Sequence, residues 1–142
     1  MHIERDNLVN IEVFRAVRAQ LGANFVRILG YFREDGTKAV AAIETAMRNH
    51  DATGIILPAH TLKGEARQFG ANELALLAEE IETFARRCVE HHESPEEYLP
   101  KVVQVRPMFE ATLAILERET SPLQTRRATF GRAGALLDKA IR

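Results

Sequence analysis

The chain has 142 residues, of which 46% are hydrophobic and 27% charged, with a formal net charge of −1. That is the profile of one globular domain with a single core, and it excludes a protein that binds nucleic acid through overall positive charge. Aromatic residues are sparse at 6% and Trp is absent, which favours helix over sheet in an Ala- and Leu-rich chain. The one cysteine, Cys88, excludes an internal disulfide and fits a reducing compartment. No apolar run approaches the roughly 20 residues that cross a bilayer, and Met1-His2-Ile3-Glu4-Arg5-Asp6 lacks the apolar centre of a signal peptide. A cytoplasmic protein without membrane association is expected.

Taken in order, residues 9–21 carry Val13, Phe14, Val17 and Leu21 at helical spacing, with Asn10 placed to cap and Gly22 to stop the helix. A second stripe runs through Phe25, Ile28, Leu29, Phe32, Ala39, Val40, Ile43, Ala46 and Met47. Its phase is kept across Gly36, so one long helix with a bend at that glycine is expected, ending near Asn49-His50-Asp51. Asp51-Ala52-Thr53-Gly54 is turn chemistry, and Asp51 or Thr53 can cap a third helix from Ile55 to Phe69, closed by Gly70. In that frame Pro58 is the fourth residue, where its missing N–H costs no hydrogen bond.

Asn72 is placed to cap a fourth helix with Leu74, Leu77, Ala78, Ile81, Ala85 and Cys88 on its apolar side. Ser94-Pro95-Glu96-Glu97 is a strong helix start, followed in phase by Tyr98, Val102, Val105, Phe109, Leu113 and Leu116. Pro107, and less directly Pro100, should kink or split that helix. A weak stripe at Ala133, Leu136, Leu137, Ala140 and Ile141 suggests a short sixth helix. Arg126, Arg127, Arg132, Lys139 and Arg142 against Asp138 give residues 120–142 a charge of +4, which leaves −5 on residues 1–119. The expected architecture is all-α: an antiparallel up-and-down four-helix bundle with an additional N-terminal helix. The domain spans residues 1–119, and residues 120–142 form a basic C-terminal extension, a solvated tail on the plainer reading, with folding back or partner binding as the alternatives. The chain reads as complete, ending shortly after the bundle.

The third helix is the one of unusual composition. His60, Lys63, Gly64 and Arg67 fall at i, i+3, i+4 and i+7 and share one face. The apolar stripe of Ile55, Ala59, Leu62, Ala66 and Phe69 lies elsewhere, and at about 100° per residue His60 points roughly 140° from its centre. A neutral imidazole, with a reference pKa of about 6.5, is a competent nucleophile near neutral pH. Lys63 can place an ammonium near phosphoryl oxygens. Gly64, which costs stability inside a helix, leaves a dent where another protein's backbone can approach. Ile56 and Leu57 lie near the same side and supply apolar contacts for docking.

His60-Thr61-Leu62-Lys63-Gly64, preceded by Ala59 and followed by Ala66 and Phe69-Gly70-Ala71, resembles the phosphorylated-helix motif of histidine-containing phosphotransfer (HPt) domains. The resemblance covers roughly residues 9–119. It implies a four-helix-bundle phosphocarrier in which His60 Nε2 accepts a phosphoryl group from a receiver-domain aspartate and passes it to another response regulator. It further implies that Lys63 steadies the phosphoryl group, that Gly64 gives docking clearance, and that Glu82 holds Nδ1 and orients the ring. Arg86 matches a position that is basic in some members; an i,i+4 ion pair of Glu82 with Arg86 on an exposed face is the plainer reading, and both can hold. Arg67, Ile56, Leu57 and Arg86 are the expected partner-binding residues. The partners implied are receiver domains or a hybrid histidine kinase, which supply Mg²⁺; this chain brings no cofactor or kinase machinery of its own and acts as a monomer. Glu65 departs from the family pattern, which usually has a small residue there, and bears on packing or partner choice.

Other chemistry is poorly represented. His91 and His92 are adjacent and point apart on a helix, Glu-x-x-His is absent, and there is no Walker or Rossmann glycine pattern; no metal site is expected. Cys88 reads as core. Two alternatives stand beside phosphotransfer: a non-catalytic helical adaptor working through the basic extension, and a detached phosphoacceptor domain of a chemotaxis-type histidine kinase.

Overall fold

Four long helices carry the structure, a computed structural model that describes residues 7–120. They are α2 (Phe25–Arg48), α3 (Ala52–Gln68), α4 (Asn72–His91) and α6 (Val105–Thr120), with a shorter α1 (Ile11–Leu21) ahead of them and a single turn, α5 (Leu99–Val102), before the last. Among the described residues there is no strand, and the joined helices form the expected all-α bundle. The suggested sixth helix and the basic extension lie outside the described residues. Helix α3 packs most extensively on α4 and next on α2, which places it between two supports.

The ends follow from local chemistry. Asn10 caps α1 by accepting from the N–H groups of Glu12 and Val13 at 3.1 and 3.2 Å. Gly70 takes a left-handed φ of +76° that ends α3, and its carbonyl accepts the Asn10 N–H at 2.8 Å. A Cβ at Gly70 would lie 3.0 Å from Asn10 O and Val13 Cβ, so the glycine lets α1 close on the end of α3. Residues Phe14, Phe25, Phe69, Phe32 and Phe109 then form a chain of ring contacts with centroid separations of 5.3 to 5.9 Å. This chain ties α1, α2, the end of α3 and α6 together, each contact adding about 0.5–1.5 kcal/mol beyond area burial.

Three local expectations need correction. Helix α3 begins at Ala52, because Asp51 accepts the Gly54 N–H at 3.0 Å and caps it there. Pro58 is therefore the seventh residue and its missing N–H does cost a bond. Burial of Ala52 and Ile55 against the core holds the extra turn despite it. Asn72 is the first helical residue of α4, not its cap; that position is Ala71, which offers no side-chain bond, only its carbonyl to the Ala75 N–H at 3.0 Å. The segment after Ser94 does split, but at Val103-Gln104. Pro100 and Pro107 sit in the first turns of α5 and α6, where a proline forfeits no intrahelical bond.

Helix α2 runs unbroken through Gly36, where the Phe109 ring of α6 presses against the glycine so closely that a Cβ would collide with it. Gly36→Ala gains about 1 kcal/mol of helix propensity but forces a buried ring from its place, at a cost of about 1–3 kcal/mol. The expected net result is a loss of roughly 1 kcal/mol, read as a lowered urea midpoint; an unchanged or raised midpoint would show the ring to be free to move.

Candidate functional site

The period of α3 turns Ile55, Ala59, Leu62 and Ala66 inward, each no more than 1% exposed, and thereby turns His60 out, with 57% of its side chain exposed. Opposite it on α4, Glu79, Glu82 and Arg86 follow at i, i+3 and i+7 and face α3. Glu82 is nearly buried, at 7% of its side chain exposed, and is the centre of the arrangement. Its Oε2 lies 3.1 Å from His60 Nδ1 and accepts from Arg86 Nε and an Arg86 terminal nitrogen at 3.0 and 2.8 Å. Its Oε1 lies 2.8 Å from Lys63 Nζ.

A carboxylate can only accept, so the hydrogen bond places the proton of a neutral His60 on Nδ1 and leaves the Nε2 lone pair facing solvent. Burial of Glu82 pushes its pKa up, but hydrogen bonds from Lys63, Arg86 and His60 together with the Lys63 charge outweigh that and bring it to about 2. Glu82 is thus anionic at any physiological pH, a fixed acceptor behind the ring.

The structure brings His60, Lys63, Glu82 and Arg86 together. Two details differ from the sequence reading. Glu82 is not on an exposed face: its pair with Arg86 forms on the same buried oxygen that holds His60. Lys63 is drawn inward to Glu82, with 17% of its side chain exposed, so it is not a free ammonium. Gly64 is exposed, and a Cβ there would meet nothing within 4 Å, leaving an open spot one turn from His60. Leu57 is 70% exposed, whereas Ile56 is half-buried and packs on the core. Arg67 is paired with Glu79, its terminal nitrogen 3.0 Å from Oε2, a partner that the sequence reading missed although Glu79 shares the helical face of Glu82. Cys88 is buried beside Ala52, Phe84 and Tyr98. Among the described residues no three His, Cys, Asp or Glu side chains gather to hold a metal, and no helix is long and apolar enough to cross a membrane.

An outward imidazole nucleophile, held from behind by a permanent carboxylate and flanked by two cations, suits reversible capture of a phosphoryl group. Comparison with known proteins agrees. No curated protein matches the sequence. The crystal structure of histidine-containing phosphotransfer protein B (HptB) from Pseudomonas aeruginosa PAO1 superposes with a TM-score of 0.68 at 21% identity, over 79% of this chain and 93% of that one, a likeness of fold. The model of the Hpt domain matches residues 27–117, which include α3, α4 and every residue of the His60 cluster. By that match over most of its length, the chain belongs to the Hpt domain family, the histidine phosphocarriers of phosphorelays.

Proposed function

We propose that His60 takes a phosphoryl group from the aspartyl phosphate of a receiver domain and delivers it to the receiver of another response regulator. The observation that carries this reading is the 3.1 Å contact of His60 Nδ1 with Glu82 on a ring whose other edge is open. In the forward step the Nε2 lone pair attacks phosphorus in line. The Nε2–P bond forms as the P–O bond to the receiver aspartate breaks, and that bonding pair leaves on the aspartate carboxylate. The Nδ1 proton stays in place, and the positive charge that develops on the ring is met by the Glu82 carboxylate. The return step to a second receiver is the reverse.

Transfer of this kind is chiefly positioning and charge stabilisation, and most of both falls to the receiver, which brings Mg²⁺. On this chain Arg86 has 57% of its side chain exposed and, while bonded to Glu82 Oε2, can offer its outer guanidinium edge to phosphoryl oxygens; Lys63 contributes its charge from its place on Glu82. Gly64 lets the partner backbone approach, and Leu57 gives the rim an apolar contact. The phosphotransfer unit is residues 1–119, acting as a monomer without a nucleotide site.

The test is direct. A receiver domain carrying labelled phosphate, mixed with the full-length protein, is expected to transfer label into an acid-labile, alkali-stable linkage, the signature of a phosphoramidate. If phosphorylated receivers from its own cell leave the protein unlabelled while a histidine kinase with ATP labels it, the protein is the detached acceptor domain of a kinase instead.

A further inference from the structure

Glu65 has no part in the His60 cluster. It follows Gly64 on α3, on the side of the helix opposite His60, between the fully buried Leu62 and Ala66. Its Oε1 is closed off from solvent and receives no hydrogen bond from a donor among the described residues. Across the seam, α2 brings Asp35, whose exposed carboxyl lies within hydrogen-bonding reach of Glu65. The neighbouring cations are committed elsewhere: Lys63 and Arg86 to Glu82, and Arg67 to Glu79. On α4, the other helix packed on α3, Glu79 and Glu82 turn toward the His60 side and are neutralised by those same cations; on α2, Arg33 is paired with Glu117, and Lys38, three residues after Asp35, makes no ion pair with either carboxyl.

Two carboxyl groups meeting without a cation cannot both be charged at low cost, and one proton shared as O–H···O⁻ resolves the contact. We propose that Glu65 and Asp35 share a proton across the α2–α3 seam and form a pH-responsive latch behind the phosphoacceptor helix. With the proton present, a hydrogen bond closes the seam. When it leaves, two carboxylates face each other, and α3 eases away from α2 at the turn that carries Gly64. Asp35, on the solvent side, is the route by which the proton comes and goes. Burial of Glu65 first, and the charge and hydrogen bond of Asp35 next, raise its pKa to about 7, inside the range over which a cell's pH varies.

The sign follows from linkage. Because the folded state holds its proton more tightly than the unfolded chain, the contribution of the pair to stability is complete below pH 4.5 and is lost as pH rises through about 7.

Carboxyl-carbon NMR titration of the full-length protein tests this without reference to phosphate chemistry. The Glu65 signal is expected to titrate near neutrality in the native protein and to fall by more than one pH unit in Asp35→Asn. The amide signals of Gly64 and of Phe32, across the seam, should move with the same midpoint. The melting temperature of the native protein should drop between pH 6 and pH 8, and that drop should vanish in Glu65→Gln. A Glu65 midpoint near 4.5 in the native protein, or one indifferent to Asp35→Asn, overturns the proposal. Should Glu65→Gln fail to fold, the Asp35→Asn titration decides alone.

Discussion

Replacing His60 by Gln is expected to abolish labelling of the protein by a phosphorylated receiver, while the thermal midpoint stays within a few degrees of the native value. The two halves of this expectation have separate causes. Transfer requires a nucleophilic lone pair at the position of Nε2, and a carboxamide nitrogen, its lone pair delocalised into the carbonyl, does not supply one. Stability is spared because the His60 side chain is 57% exposed, Gln suits a helix interior, and exposed substitutions usually fall within about 0.5 kcal/mol. The other described histidines make the variant discriminating. His50 lies against Glu96, with Nδ1 2.8 Å from Oε1, and His91 and His92 end α4, His92 in the left-handed cap position. None has a buried carboxylate fixing its ring with the far nitrogen open. Equal labelling of the His60→Gln protein would move the acceptor to another of the chain's five histidines and end the assignment.

What could be read from the sequence depended on whether a feature is periodic or rotational. The direction of His60 was legible because the apolar residues Ile55, Ala59, Leu62 and Ala66 of α3 fix the phase of one helix, and phase is local. Unbroken α2 was legible for the same reason: Phe32 and Ala39 keep step across Gly36. The reason Gly36 is glycine was not, since the Phe109 ring comes from α6, far along the chain. The start of α3 was misjudged because Pro58 signals an early helix position, and only the Asp51 cap together with burial of Ala52 shows that tertiary packing overrides it. The burial of Glu82 and the meeting of Glu65 with Asp35 depend on how α3 and α4, or α2 and α3, are rotated against each other. One sequence does not determine that setting. For Glu82 the family resemblance supplied what the periodicity could not. Glu65 had no such guide, because it departs from the family pattern, and its neighbour became visible only in the folded bundle.

Substitution of Glu82 is expected to damage both transfer and stability, and Gln and Ala should differ in a telling way. Glu82→Gln keeps one acceptor oxygen for Nδ1–H, so the ring stays oriented, but it removes the charge that meets the developing imidazolium and that holds Lys63 and Arg86. Glu82→Ala removes the acceptor as well and lets the ring turn. Losses of an orienting partner behind a functional histidine run to roughly ten- to a hundred-fold where the histidine is a metal ligand, and a similar scale is expected here, with Ala falling further than Gln in single-turnover transfer rate. Breaking a fully buried ion pair costs about 3–5 kcal/mol. Arg86 and the tip of Lys63 can reach water once released, so the cost here is smaller, about 1–3 kcal/mol by urea unfolding at neutral pH. The pH dependence identifies the cause. Glu82 is held down to about 2 from an ordinary 4.5, so its contribution is complete above pH 4.5 and disappears as pH falls through about 2. The native protein should therefore lose its advantage over Glu82→Gln across that acid window and keep it unchanged from pH 5 upward. A stability difference that persists undiminished at pH 2 would mean that Glu82 acts through packing rather than charge. Transfer at the native rate in Glu82→Ala would mean that the 3.1 Å contact does not orient His60.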